Sequence, residues 1–216
     1  MLYIPFYIEL AVRAINNGAE FEPDVSEKDF RNIIWQSVIA CNVDRKFGMP
    51  ARRKSTFIEI AKKRAKQMLY GVDESLFDPE VVAKLEEDNL IYRDSQKLVI
   101  SPMYDVLEDW ALEEFISKEY IGNAHDIRAF LTAIGNEPAV NRAFRLWLFQ
   151  QIKFEVVCTD FISSLLLSND IENYWKDEVI SAIIQSELPE MFLNNLSKDL
   201  LGNNCHLLIR FFSFFE

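Results

Sequence analysis

The first 43 residues contain two stretches in which apolar residues recur at helical spacing. Residues 6–16 predict one helix, which ends where Asn17 and Gly18 favour a left-handed turn. Residues 26–40 predict a second helix, with an apolar stripe on one side and Ser26 as its N-cap. We therefore assign residues 1–43 to a helical segment.

Residues 44–117 follow a different pattern, in which helices flank a short hairpin. Helical spacing over 56–69 and an Asp78-Pro79 start signal predict two helices. Apolar residues at 90–93 and 98–100, separated by a polar tetrapeptide, predict a β-hairpin. Ser101 as N-cap and Pro102 at the first helical position then predict a helix over 103–117. This order of elements indicates a winged-helix domain over 44–117.

From residue 118 onward the pattern is helical throughout. It predicts helices at about 124–134, 138–153, 155–167, 173–186, 189–201 and 204–215. Short turns join helices of similar length, which favours a HEAT-like array of helical hairpins over 118–216. The fold class is therefore mainly α. Because residues 207–215 are strongly apolar, we expect the natural chain to continue past Glu216 and cover them.

The net charge of −11 disfavours nucleic acid and anionic lipid as partners. The charge is uneven, because residues 44–66 carry nine basic and two acidic side chains, a local excess of +7. We expect this segment to form a basic contact patch on an acidic protein surface. Its predicted members are Arg45, Arg52, Arg53, Lys54, Lys62 and Lys63.

The sequence offers no complete catalytic site. All six glycines are isolated, which excludes a Gly-rich phosphate loop, and Ser or Cys nucleophile motifs are absent. Neither His125 nor His206 has metal-ligand spacing. Asp105, Glu108 and Asp109 share one helix face and could bind a metal, but acids near a helix start more often complement the dipole. We predict no catalytic residues, metal or cofactor in this chain.

The predicted compartment is the cytoplasm. The apolar opening lacks a basic leader, and no apolar run is long enough to cross a bilayer. Three widely spaced cysteines are typical of free thiols in a reducing compartment.

A winged helix raises the question of DNA binding. The basic residues in and before its first helix fit phosphate contacts. The presumed recognition helix, 79–89, carries four acidic residues against Lys84 alone, and the groove wall would repel them. Contacts with protein are therefore favoured.

Several short motifs resemble the STAND class of signalling ATPases, specifically its large bacterial antiviral-defence members, which are similar in plan to NOD-like receptors. Residues 4–11 look like the lid segment of that class, and residues 30–35 and 48–53 look like the linker and entry to its winged helix. Residues 103–112 look like the motif that opens the last helix of the winged helix. Residues 175–180 resemble a segment early in the helical repeats.

The resemblance implies that Pro5, Tyr104 and Asp105 face a nucleotide held by an upstream ATPase domain. In that class a lid proline packs on adenine, and a histidine after the hairpin reaches the β-phosphate of ADP. Here Tyr104 occupies the matching position, where a phenol donates one neutral hydrogen bond without positive charge. Two alternatives stay open: Tyr104 packs in the core, and Pro5 only starts a helix.

The resulting hypothesis is a regulatory middle segment of a nucleotide-controlled switch. The parent would bind ADP or ATP with Mg, form a homo-oligomer, and receive an unknown protein ligand on its helical repeats. The alternative is a stand-alone winged-helix adaptor or DNA-binding transcription regulator with a helical interaction domain.

Overall fold

The computed structural model describes residues 5–123, 126–153, 159–186, 189–202 and 205–214. The chain is mainly helical, with one small three-stranded antiparallel sheet. It divides into two compact units, Met1–Ala111 and Leu112–Glu216, which are considered separately below. The predicted boundaries after residues 43 and 117 stay predictions.

The first unit begins with helices α1 (Pro5–Asn16) and α2 (Glu27–Ile34). The predicted N-cap is confirmed, because the Ser26 hydroxyl accepts a hydrogen bond from the Asp29 amide at 3.1 Å. After α2 the chain continues as a π-helix over Trp35–Ile39. The predicted helix over 26–40 is therefore present, but its last turn is wider than an α-helical turn.

Helix α3 (Met49–Gln67) begins at Met49 rather than near Thr56. Gly48 precedes it at φ +68°, a left-handed conformation that glycine adopts without steric cost, and Pro50 lies in the first turn. The added turns contain charged residues, so apolar periodicity did not mark them. The predicted basic loop is helical from residue 49.

The sheet consists of β1 (Val72–Asp73), β2 (Ile91–Asp94) and β3 (Val99–Pro102), in the order β1-β3-β2. The hairpin prediction is confirmed by the antiparallel pairing of β2 with β3, which runs from Ile91 opposite Pro102 to Asp94 opposite Val99. Helix α4 (Pro79–Glu87) lies between β1 and β2. As predicted, the Asp78 carboxylate caps it by accepting from the Glu80 amide at 3.0 Å.

The predicted start of the helix after the hairpin is wrong. Ser101 and Pro102 belong to β3, and Ser101 lies opposite Tyr92 of β2. Helix α5 (Asp105–Gly122) begins later, and the carbonyl of Tyr104 accepts its first hydrogen bonds from the amides of Leu107 and Glu108. Strand pairing thus takes the two residues that resembled a cap and a first helical position.

A buried arginine joins the elements of the first unit. The Arg53 side chain is 2% exposed. It donates to the carbonyls of Ile39 at 2.9 Å and Val38 at 3.0 Å, and it pairs with the Asp88 carboxylate at 2.6 Å. Because the two carbonyls end the π-helix and Asp88 follows α4, one side chain holds three segments together.

The second unit contains seven further helices. They are α6 (Ile127–Ile134), α7 (Pro138–Lys153), α8 (Thr159–Leu167), α9 (Asn173–Gln185), α10 (Pro189–Asn195), α11 (Ser197–Leu201) and α12 (His206–Phe212). The predicted helix over 138–153 is confirmed. The predicted helix over 189–201 is two helices, interrupted at Leu196.

An aromatic cluster fills the core of this unit. The Phe130 and Trp147 rings lie 5.9 Å apart, and the Phe144 and Trp175 rings 5.0 Å apart in an edge-to-face arrangement. Helix α9 packs against α7 and α8 through this cluster. Within the described ranges, no helix combines the length and apolar character needed to span a membrane.

Replacing Arg53 with methionine should lower the free energy of unfolding of this chain by about 2–4 kcal/mol, because two buried carbonyls lose their donor and Asp88 loses its partner. Urea denaturation followed by circular dichroism measures this. The control is Arg45→Met, since Arg45 is exposed; we expect a change within about 0.5 kcal/mol. Equal effects of the two substitutions would show that the buried hydrogen bonds do not stabilise the unit.

Candidate functional site

Two residues that the sequence assigned to one site do approach each other through a neighbour. Phe6, which follows Pro5 in α1, lies against Tyr104, with the ring centroids 4.3 Å apart. Pro5 is exposed, and Tyr104 is 40% exposed. Tyr104 is thus a surface residue, which removes the alternative that it packs in the core. We call Pro5, Phe6, Tyr104 and Asp105 the junction site.

The end of the sheet fixes the position of Tyr104. Ser101 and Pro102 are buried in β3, and the Met103 amide donates to the Leu90 carbonyl at 2.9 Å. The next residue, Tyr104, accepts from the Leu107 amide at 3.0 Å and so begins α5. The free amides at the start of this helix are therefore those of Asp105 and Val106, and the predicted amides after Ser101 are not at a helix start.

Aromatic rings support the junction site from below. The ring of Tyr7 is parallel to that of Trp110, with centroids 6.2 Å apart, and meets Phe30 edge-on at 5.9 Å. The Arg31 guanidinium lies 5.2 Å from the Trp110 ring centroid, which is a cation–π contact. Burial raises the pKa of the Tyr7 phenol, the Glu27 charge raises it further, and the Arg31 charge partly offsets them.

Arg64 connects the start of α5 to the chain before β1. Its guanidinium pairs with the carboxylate of Glu108, a residue that is 3% exposed, and its Nη1 lies 3.9 Å from Asp105 Oδ1. Its Nε also donates to the Tyr70 carbonyl at 3.2 Å. The Asp105 side chain is 80% exposed, so its contact with Arg64 is weak.

The carboxylates on α5 have different surroundings. Glu108 is committed to Arg64, whereas Asp105 is exposed at the start of the helix, where a negative charge complements the dipole. In the part of the chain that the structure describes, no three His, Cys, Asp or Glu side chains are grouped as a metal site requires. His125 and Cys158, which the sequence singled out, lie outside the described residues.

The predicted basic contact patch is partly an internal network. Arg53 is buried, so it is not part of an exposed surface. Arg52 pairs with the carboxylates of Asp78 and Glu80, and Lys62 pairs with Glu59 at 2.8 Å. The remaining three residues of the patch are Lys54, whose ammonium lies 5.7 Å from the Trp35 ring centroid, half-buried Lys63 and exposed Arg45.

Helix α4 carries acidic residues whose partners explain this network. Glu80 pairs with Arg52 at 3.0 Å, Glu86 with Arg93 at 3.3 Å, and Lys84 with Asp44. The hydrogen bond from Lys84 lowers the pKa of the Asp44 carboxyl, and the hydrogen bond from Arg52 lowers that of Asp78. Basic residues of α3 thus neutralise the acids around α4 within the same unit.

The junction site can bind but has no means of bond-breaking chemistry in these residues. An exposed phenol and two free amides can donate hydrogen bonds, and Phe6 offers an apolar ring. The sequence did not single out Phe6 or Arg64. Only α1 and α5 meeting in space reveals Phe6, although its neighbour Pro5 was noted. A comparison of the sequence with known protein families and with characterised proteins found no match.

Replacing Tyr7 with phenylalanine should reduce the loss of stability at alkaline pH. The folded state raises the pKa of Tyr7 above its ordinary value of 10.0, so above about pH 10 the native chain retains a proton that the unfolded chain releases. The free energy of unfolding therefore falls as pH rises, and Tyr7→Phe should flatten this slope. Urea titrations between about pH 9 and pH 11 measure it. An unchanged slope, or an equal change in Tyr92→Phe, would contradict the burial of Tyr7.

Proposed function

We propose that this chain is the regulatory middle segment of a cytoplasmic STAND-type switch that belongs to bacterial defence. In this proposal residues 1–43 end the lid, residues 44–117 form a winged helix, and residues 118–216 begin a HEAT-like sensor array. An upstream ATPase domain holds ADP or ATP with Mg. Exchange of the nucleotide releases the winged helix and lets the parent assemble into a homo-oligomer.

The observation that carries the proposal is the junction site. Residues about one hundred positions apart in the sequence, Phe6 and Tyr104, lie in ring contact at 4.3 Å, and both flank residues that the resemblance assigns to the nucleotide. Tyr104 is exposed and stands at the start of α5, whose free amides favour a phosphate. The exposed Asp105 opposes a phosphate, and Arg64 at 3.9 Å offsets part of its charge.

The order of elements also supports a winged helix. Helix α3, strand β1, a 3-10 turn, helix α4 and the hairpin β2–β3 follow one another, and β1 pairs with β3 rather than with β2. This is the order and pairing expected of that fold. In the second unit α9 packs against both α7 and α8, as stacking of successive helical hairpins requires.

A second candidate, the stand-alone adaptor, is favoured by one exposed surface. Tyr70 is 63% and Leu98 56% exposed, and the rings of Tyr70 and Tyr92 meet at 6.2 Å beside the hairpin. Aromatic side chains on a surface often mark contacts with proteins. The DNA-binding form of this alternative is disfavoured, because the acids of α4 already engage the nearby basic residues.

The genomic sequence upstream of codon 1 distinguishes the two candidates. An in-frame G-x-x-x-x-G-K-[ST] loop is expected if the chain is part of a switch, because the nucleotide needs a phosphate-binding domain. A native start codon with its own ribosome-binding site would favour the adaptor and contradict the proposal.

In the whole parent protein, Tyr104→Phe should reduce the ADP retained after purification by about two- to tenfold and raise basal activity. The substitution keeps the ring beside Phe6 and removes one neutral hydrogen bond. Chromatography of the released nucleotide measures the retained ADP. The matched control is Tyr92→Phe, since Tyr92 is 41% exposed and lies on β2. Equal ADP content in both variants would reject a nucleotide contact by Tyr104.

A further inference from the structure

The second unit contains a cavity of about 300 Å³ between α8, α9, α11 and α12. One wall is apolar and includes Leu166, Leu167 and Leu207. The opposite side is polar and includes Lys176, Arg210, His206 and Asp199, with the amides of Asn169 and Asn173 between them. The cavity therefore combines an apolar wall with a group of cationic and neutral hydrogen-bond donors.

Two cations in this cavity lie close enough to repel each other. Burial lowers the pKa of the Lys176 ammonium, and the positive charge of Arg210 lowers it further. Among the described residues Lys176 has no carboxylate partner; its ammonium donates to the Ser168 carbonyl at 2.5 Å. A negative charge placed between the two cations would remove this repulsion.

Both cations retain donors that their protein partners do not use. The Arg210 Nε donates to Asp177 Oδ1 and its Nη2 to the Asn173 carbonyl, both at 2.8 Å. Its Nη1 group has no hydrogen-bond acceptor in the described part of the chain. Lys176 uses one of its three protons in the described ranges. Several charged N–H donors are thus available in one cavity.

We propose that this cavity binds a phosphomonoester with a small apolar group. Two positive charges match the charge of nearly −2 on a phosphate at neutral pH, whereas a carboxylate would leave one of them unneutralised. The apolar wall and the volume exceed what inorganic phosphate fills, which points to an organic substituent against Leu166 and Leu207. Asp199 is the one carboxylate that lines the cavity, and it weakens binding by repulsion.

Phenyl phosphate is the probe, and calorimetric titration of the whole 216-residue chain is the measurement. We expect saturable binding, tighter than that of inorganic phosphate and tighter than that of benzoate, which has a similar ring and one charge. Lys176→Met should weaken phenyl phosphate binding at least tenfold, by about the effect of one charge-assisted hydrogen bond. The control, Lys198→Met, removes an exposed lysine of α11 that does not line the cavity and should leave the affinity unchanged.

A gain of affinity provides a second test that does not weaken the fold. Asp199→Asn keeps every donor and removes the repelling charge, so phenyl phosphate should bind about two- to fivefold more tightly. This variant decides the matter if Lys176→Met does not fold. Absence of saturable binding, equal affinities for phenyl phosphate and inorganic phosphate, or unchanged affinity in the deciding variant would overturn the proposal. The result is independent of the proposed switch, because it is measured on this chain alone.

Discussion

The first unit depends on one buried guanidinium. Arg53 satisfies two carbonyls at the end of the π-helix and pairs with Asp88 beyond the end of α4, so three segments distant in sequence share one donor group. An arginine suits this position because its planar fork directs several donors at fixed angles, which a lysine cannot do. The Arg13 side chain adds α1 to the same point by donating to the Asp88 carbonyl. The arrangement of these helices, and hence the junction site, follows from a small number of directional contacts.

Charge in this unit is largely balanced inside it rather than presented to a partner. The sequence shows a basic segment at 44–66 and an acidic helix α4, and the structure pairs Arg52 with Glu80 and Lys84 with Asp44. A local excess of one sign in the sequence therefore did not translate directly into a surface of that sign. The surface that stands out is instead aromatic, around Tyr70 and Tyr92 beside the hairpin.

Local signals predicted the elements well where the deciding interactions are local. The caps at Ser26 and Asp78, the hairpin and the helix over 138–153 all depend on neighbouring residues. Ser101 and Pro102 misled because strand pairing across the sheet outweighed a cap-like dipeptide. The start of α3 was missed because its first turns are charged rather than periodic. For the junction site, the sequence supplied Pro5 and Tyr104 through resemblance, but the contact of Phe6 with Tyr104 arises only from tertiary packing.

The π-helix at Trp35–Ile39 has a consequence for how this protein tolerates changes of length. Such a turn holds one residue more than an α-helical turn, so deleting one residue there would restore a regular α-helix. Everything after the deletion would then be rotated by about 100° about the helix axis. The carbonyls of Val38 and Ile39 would no longer point at Arg53. Homologues of this chain should therefore vary in side chains across these five positions while keeping their number constant.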